Sequence, residues 1–351
     1  MGILMCFIIF QLTAFITTKC TFEFIIKVSS VTLVGSFYLM CYNSIWLNAH
    51  NIKYVLEQFQ KIYNTLNDEN EIAIIEKYLN IFKYATKIMT LILMCGAGFM
   101  LLAIWLYFFQ NKSQSHQRVQ IATEYFVDEE KYVYLILLHI SVAICIGITA
   151  ALGGGQLVMA VVVYLCGLFR ITSYRIEKAM SIRVFENTHL EKRTMIYKEI
   201  IDAVKIHRQA IKFSKFLSSH FKGTLLYTTL ITVISLSLNI FGIFRNALFE
   251  KKETFVMHFG FVIGLLTLMF LMNYIGQEII DHSNDVYSMI YSSQWYTAPL
   301  HAQKLLFFML QRSSKSVEIN VSGLFVVSLE CFATLVKSSM SYFAVMYSIQ
   351  E

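Results

Sequence analysis

Seven stretches of the chain run long and apolar with few charges, roughly 3–18, 22–47, 88–109, 132–168, 224–249, 255–280 and 322–349. This clustering constrains the fold more than any single motif. A helix rises about 1.5 Å per residue, so about 20 apolar residues cross a hydrocarbon core ~30 Å thick. Composition agrees: hydrophobic residues are 56% and charged residues 15%, against roughly a quarter charged in a soluble domain. The pattern predicts an all-α membrane protein with seven transmembrane helices. The first stretch lacks the basic start and small-x-small cleavage site of a signal peptide, so it reads as a span. The fourth is longer than a bilayer needs, and is expected to tilt, to bend at Gly153-Gly154-Gly155, or to project beyond the membrane.

Orientation follows from Lys and Arg. The connections 48–87, 170–222 and 281–321 carry 20 of the 29 basic residues. That side is expected to be cytoplasmic, which puts the N-terminus in the cytoplasm and the C-terminus outside, opposite to a G-protein-coupled receptor. The sequon Asn111-Lys112-Ser113 then falls outside and is expected to be glycosylated. The sequon Asn320-Val321-Ser322 falls at the cytoplasmic end of span seven and is expected to stay bare.

Several chemistries find no support. The seven cysteines lie mostly inside spans with no CxxC, which reads as neither a disulfide framework nor a metal site. The nine histidines are scattered. There is no Gly-rich phosphate loop, HExxH or GxSxG, so the chain reads as no enzyme, with no cofactor and no metal. The net charge of +6 is concentrated beside the membrane in 170–222. Positive-inside topology and anionic inner-leaflet lipid account for it without nucleic acid.

The basic connections are more than linkers. In "LNAHNIKYVLEQFQKIYNTL" Ile52, Val55, Leu56, Phe59, Ile62, Tyr63 and Leu66 recur at helical spacing. Ile196, Ile200, Val204, Ile211 and Phe216 do so in the fourth-to-fifth connection. With "EIIDHSNDVYSMIYSSQWY" and "HAQKLLFFMLQRSSK" these pieces are expected to form one helical anchor bundle below the membrane, because each needs a partner for its apolar face. The expected organisation is 1–168 as spans one to four with a cytoplasmic helix in 48–87, and 169–222 as extensions of spans four and five. Residues 223–280 are spans five and six, 281–321 the anchor helices and 322–351 the last span.

Pro299 is the only proline, so no span carries the proline kinks on which rhodopsin-like receptors and many transporters rely. Glu23, Lys27, Glu278 and Lys337 all sit near span ends. A charge at the bilayer centre costs roughly 2.5–3.5 kcal/mol on insertion scales, and the chain avoids it.

The run "YIGQEIIDHSNDVYSMIYSSQWYTAP", 274–299, resembles the insect odorant receptor family at the end of span six, through Gly276-Gln277-Glu278, Ser283, Tyr291 and Trp295. Residues 303–349 are similar to the family's last segment, with Gln311-Arg312, Ser328-Leu329-Glu330 and Ser341-Tyr342-Phe343. "YLCGLFRITSYRIEKA", 164–179, and His207 match more weakly. The resemblance is specific over about 75 C-terminal residues. Two departures stand: span one starts almost at Met1, where the family usually has a preceding cytoplasmic segment, and "SVEINVSGLF" lacks a proline often found there.

The resemblance implies an odorant-gated, non-selective cation channel in the plasma membrane of a sensory neuron dendrite, assembled as a heterotetramer with a coreceptor around a pore lined by the last helix. The coreceptor carries a long insertion between spans four and five. The segment here has only about 55 residues, which implies a tuning subunit. Ser341, Val345 and Ser348 lie at i, i+4 and i+7 with Ser338 one turn below, a stripe of hydroxyls around one apolar residue. In the implied pore the hydroxyls solvate a hydrated cation and Val345 forms the apolar gate. Serines in a membrane helix also serve close packing, and on the residues alone both readings stand. The ligand is expected to be a small volatile hydrophobic molecule in a mostly apolar pocket, which the resemblance puts in the outer half of the bundle. Candidate walls are Gly98, Leu102, Trp105, Ile148, Leu152, Met257 and Phe261, with Phe24, Val28, Val31 and Leu265 as further outer-half positions. Tyr291, Trp295, Leu305 and Leu306 are expected to anchor the bundle. A gustatory-type receptor of the same superfamily and a multi-pass transporter are the alternatives.

Overall fold

The computed structural model describes residues 1–17, 21–110, 123–127, 129–181, 190–248 and 252–350. The elements are helices α1 Gly2–Thr17, α2 Phe22–Leu47, α3 Ala49–Asn64, α4 Glu69–Gln110, α5 Glu129–Ser181, α6 Leu190–Leu248 and α7 Lys252–Ser292, then a 3₁₀ turn Trp295–Thr297 and α8 Leu300–Ser313. A two-stranded hairpin follows, β1 Asn320–Val321 and β2 Phe325–Val326, and α9 Leu329–Gln350 closes the chain.

The segments within α2, α4, α5, α6 and α7 are long and apolar enough to cross a membrane. With the shorter apolar α1 and the hydroxyl-rich α9 they make an all-α, seven-helix membrane fold. Four helices far exceed the bilayer. At 59 residues α6 is the longest, close to 90 Å at about 1.5 Å per residue. The glycine run does not break α5: helix continues from Glu129 through Gly153–Gly155 to Ser181, 53 residues and far more than a bilayer needs, so its end projects beyond the bilayer.

The projecting ends form the anchor bundle. Its core gathers Phe59 and Ile62 of α3, Ile75 of α4, Phe169 and Ile176 of α5, Ile196 and Ile200 of α6, Ile279 and Ile290 of α7, and Leu306 of α8. The apolar faces expected to need partners therefore cover one another. Phe59 stacks on Tyr164 at 3.8 Å between ring centroids, and the Tyr164 hydroxyl donates to the Phe59 carbonyl at 3.0 Å. The α3–α4 turn is clamped to α5 by charge. Arg175 reaches the buried Glu71 with both Nε and Nη2, at 2.5 and 2.8 Å, and Lys178 donates to Asp68 at 2.7 Å. The Lys178 contact holds the Asp68 carboxyl below the usual carboxylate range. A separate core at the opposite end joins Leu4 and Phe7 of α1, Ile104 of α4, and Val133, Leu137 and Ile140 of α5.

The last helix begins at Leu329 rather than at 322. Residues 320–327 instead double back, because Ser322 (φ 55°) and Gly323 (φ 75°) adopt consecutive left-handed conformations that make a tight hairpin turn. The Leu324 amide donates to the Val321 carbonyl at 3.0 Å and the Gly323 amide to Asn320 Oδ1 at 2.7 Å.

Candidate functional site

Between the membrane helices lies a cavity of about 200 Å³. Its walls come from Phe37, Tyr38 and Ile45 of α2, Met89 and Leu93 of α4, Ile148 through Val158 of α5, Leu217 through Thr232 of α6 and Leu268 through Gly276 of α7. Ile319, Phe325 and Val327 of the hairpin and Leu335 of α9 complete it. The space exists partly because α5 has no side chain to fill it: a Cβ at Gly155 would meet no atom within 4 Å, and one at Gly154 only Ile45 at 3.7 Å. Most of the wall is apolar or aromatic. The polar exceptions are Tyr38, Cys41, Ser44, four threonines of α6 and Asn273.

The hairpin is both cavity wall and the start of α9. It is fixed to α7 by Asn273 and by residues that carry the family resemblance. Ser283 Oγ accepts from the Val317 amide at 3.1 Å, Asn273 Oδ1 from Ser328 at 3.3 Å, and Gln277 Oε1 from Leu329 at 3.3 Å. Gly276 lies so close to Val327 that a Cβ there would fall 2.7 Å from Val327 Cγ1 and 2.8 Å from its carbonyl carbon. Ser328 Oγ then accepts from the Cys331 amide at 3.2 Å, capping α9.

α9 leans on α6 and α7 with one face. Phe332, Leu335 and Val336 pack on Val233, Leu236 and Met269. Phe343 meets Phe244 at 4.8 Å, and Ser237 Oγ donates to the Ser339 carbonyl at 3.0 Å. At 100° per residue the opposite face carries Glu330, Thr334, Lys337, Ser338, Ser341, Val345 and Ser348. Ser341 and Ser348 are exposed, Val345 is 56% exposed and Ser338 half-buried. The hydroxyls of Thr334, Ser338, Ser341 and Ser348 turn back onto carbonyls of their own helix. The stripe is longer than the four positions singled out from sequence. A helical wheel extended by two turns finds Glu330, Thr334 and Lys337.

Of the candidate ligand residues, Ile148 and Leu152 line the cavity. Gly98 and Leu102 are on the exposed side of α4, Leu102 at 56%. Trp105 packs into the core at the other end and donates to Ser141 at 3.3 Å. Phe261 is half-buried and apart from the cavity, and Met257 lies on the first turns of α7. The enclosed space is thus nearer the anchor bundle than the outer-half position expected, because side chains of α1, α4 and α5 close the other end while Gly154 and Gly155 leave room here. Of the candidate anchor residues, Leu306 is in the bundle core and Trp295 and Leu305 pack against it. Tyr291 is not part of it: the ring is 70% exposed and stacks on Tyr287 at 6.0 Å. Asn111 and Glu351 lie outside the described residues.

Among known proteins, the family model described as 7tm Odorant receptor matches residues 21–340. Odorant receptor 22c of Drosophila melanogaster is 24% identical over 185 residues, 51% of this chain and 44% of that protein. The odorant receptor coreceptor of Aedes aegypti is 24% identical over 148 residues, 42% of this chain and 30% of that protein. The chain thus spans less than half the length of these curated relatives. The solved structure of the insect olfactory receptor OR5 from Machilis hrabei in complex with eugenol has the same fold, with a TM-score of 0.79 at 14% identity, covering 99% of this chain and 87% of that one.

Proposed function

The chain belongs to the 7tm odorant receptor family, and on that premise we propose that it is an odorant-tuned subunit of a ligand-gated cation channel in the plasma membrane. The family is one of receptors, and the chain is not an enzyme. Its partner in the proposal is a coreceptor subunit, in a heterotetramer with α9 facing the pore. A small hydrophobic volatile binds in the central cavity, and α9 moves in response.

One observation carries this reading: the hairpin that walls the cavity runs directly into the helix whose unpacked face bears the hydroxyl stripe. A ligand that displaces Phe325 or Val327 displaces the start of α9 with it. In the pore, Ser338, Ser341 and Ser348 solvate the passing cation, and Val345 narrows the path with an apolar ring that empties of water when closed. The connection between spans four and five, about 55 residues over 170–222, carries no long insertion, which favours the tuning role over the coreceptor one. The eugenol complex of the Machilis hrabei receptor supports a small organic ligand.

The test is coexpression with a coreceptor and a panel of volatile compounds. The proposal expects ligand-evoked cation currents that need both subunits and vanish when Gly155→Leu fills the cavity. Currents evoked equally well without this chain refute it.

A further inference from the structure

We propose that the cavity selects ligands that donate a hydrogen bond, small alcohols and phenols, through a row of threonine oxygens on α6. This deepens the reading of the cavity as the ligand site and rests on it. Thr224, Thr228 and Thr232 stand at i, i+4 and i+8 and all line the cavity, about 6 Å apart along the helix. Thr228 Oγ1 lies 2.8 Å from the Thr224 carbonyl and 3.1 Å from that of Leu225, and Thr232 Oγ1 lies 2.6 Å from the Thr228 carbonyl. A carbonyl has no proton to give, so in each of these contacts the threonine is the donor. Each hydroxyl has one proton and two lone pairs. With the proton committed to the backbone, Thr228 and Thr232 present only lone pairs to a ligand.

The adjoining groups do not undo this. Thr224 Oγ1 donates to Ser44 Oγ across α2 and α6 at 3.2 Å. Asn273 on the far wall commits one Nδ2 proton to the Met269 carbonyl at 2.8 Å and its oxygen to the Ser328 amide. Tyr38, Cys41 and Ser44, at i, i+3 and i+6 on α2, and Thr229 can take either role and so discriminate less, whereas Thr228 and Thr232 offer two oxygens one turn apart that only accept. An ether or ester docked against that edge loses its bonds to water and places oxygen against oxygen. A hydroxyl placed there keeps its donated bond and leaves its alkyl or aryl part to the apolar wall.

The experiment uses the full receptor coexpressed with a coreceptor and compares half-maximal concentrations for isomeric pairs: an alkanol and the methyl ether of equal heavy-atom count, and o-cresol and anisole. Wild type is expected to prefer the hydroxyl compound by about tenfold, the scale of one net buried hydrogen bond. The variant Thr228→Val with Thr232→Val keeps volume and removes the lone pairs, and is expected to bring the ratio within twofold. Thr228→Ser with Thr232→Ser restores the acceptors and is expected to restore the ratio. The ratio cancels differences in expression; where the double valine variant is silent, Thr228→Val alone must lower it. A ratio near one in wild type, or one that survives the valines, overturns the proposal. Gly155→Leu separates the two levels: it should weaken both members of a pair together. If it weakens neither, the ligand binds elsewhere and the cavity reading itself fails.

Discussion

Replacing Gly276 with alanine tests whether the hairpin transmits ligand binding to α9. The added Cβ would meet the Val327 carbonyl oxygen, with Val327 Cγ1 at 2.7 Å and its carbonyl carbon at 2.8 Å. Ordinary contact begins at 3.4 Å, so the shortfall is roughly 0.6–0.7 Å at those two atoms and larger at the nearer carbonyl oxygen, and the hairpin must withdraw from α7 by more than 0.7 Å. Backbone cannot swing aside as a flexible side chain can. Inserting a methyl against such a wall typically costs about 1–3 kcal/mol, and each 1.4 kcal/mol or so is tenfold in an equilibrium constant. The strain falls on the bonds that hold the start of α9, Ser328 to Asn273 and Leu329 to Gln277, each already long at 3.3 Å.

The expected result is at least a fivefold shift in the half-maximal ligand concentration or in ligand-independent current, at normal surface level. The assay pairs whole-cell current with surface biotinylation in cells carrying the coreceptor. Gly264→Ala is the control: it sits on the same helix, where a Cβ meets nothing within 4 Å, and it should be neutral or stabilise α7 by up to about 1 kcal/mol. If Gly276→Ala behaves like Gly264→Ala in threshold, maximal current and leak, the hairpin does not couple the cavity to α9.

Trp295→Ala should lower the melting temperature and coreceptor co-purification without altering ligand rank order; the ring is half-buried, so about 2 kcal/mol is expected rather than the ~3–5 of a full core truncation. Complexes that stay intact with altered tuning would contradict its placement. Val345→Ala should raise ligand-independent leak and leave ligand preference alone; unchanged leak and ion selectivity would return that face of α9 to lipid. His207 is 3% exposed, and burial holds its imidazole near pKa 4, below the usual 6.5, with Arg312 adding to the effect. The unfolded chain then takes up a proton that the folded one refuses. Stability should be full above pH 6.5 and fall toward pH 4, by up to about 3 kcal/mol at about 1.36 kcal/mol per unit; a melting curve as pH-dependent in His207→Gln as in wild type would exclude this. Asn111→Gln should remove a glycosidase-sensitive mobility shift and Asn320→Gln should not; the reverse would invert the orientation.

The seven apolar runs were legible because a membrane leaves few ways to satisfy the backbone. The bundle was legible from residues such as Phe59, Ile62, Ile196 and Ile200, whose spacing marks an apolar face that something must cover. Which faces meet was not legible. Periodicity places Thr224, Thr228 and Thr232 on one side of α6 but is silent on what stands opposite, and hydroxyls in a membrane helix equally satisfy their own carbonyls. The cavity escaped because it is made of absences: Gly154 and Gly155 matter for the side chains they lack. The hairpin escaped for a related reason. "NVSGLFV" reads as a polar break in an apolar run, and only the left-handed turn at Ser322-Gly323 converts it into two strands.

The residues of the family resemblance gain a physical meaning here. Gly276, Gln277, Ser283 and Ser328 touch neither the far walls of the cavity nor the hydroxyl stripe; each holds the hairpin or the first turn of α9 in place. The two ends of α9 are held differently. At its start the helix is tied to α7 by directed hydrogen bonds and a backbone contact too close for any side chain. Further along it rests on α6 through aromatic packing and one hydrogen bond, Ser237 to the Ser339 carbonyl, which the helix can lose without orphaning a donor of its own. A helix pinned at one end and leaning at the other pivots about the pinned end. In the proposed channel the hydroxyl stripe therefore swings as a unit while Ser328 stays put, and the displacement grows along α9 toward Val345 and Ser348. On the proposed reading, a small shift of Phe325 or Val327 by a ligand in the cavity would become a larger one at Val345.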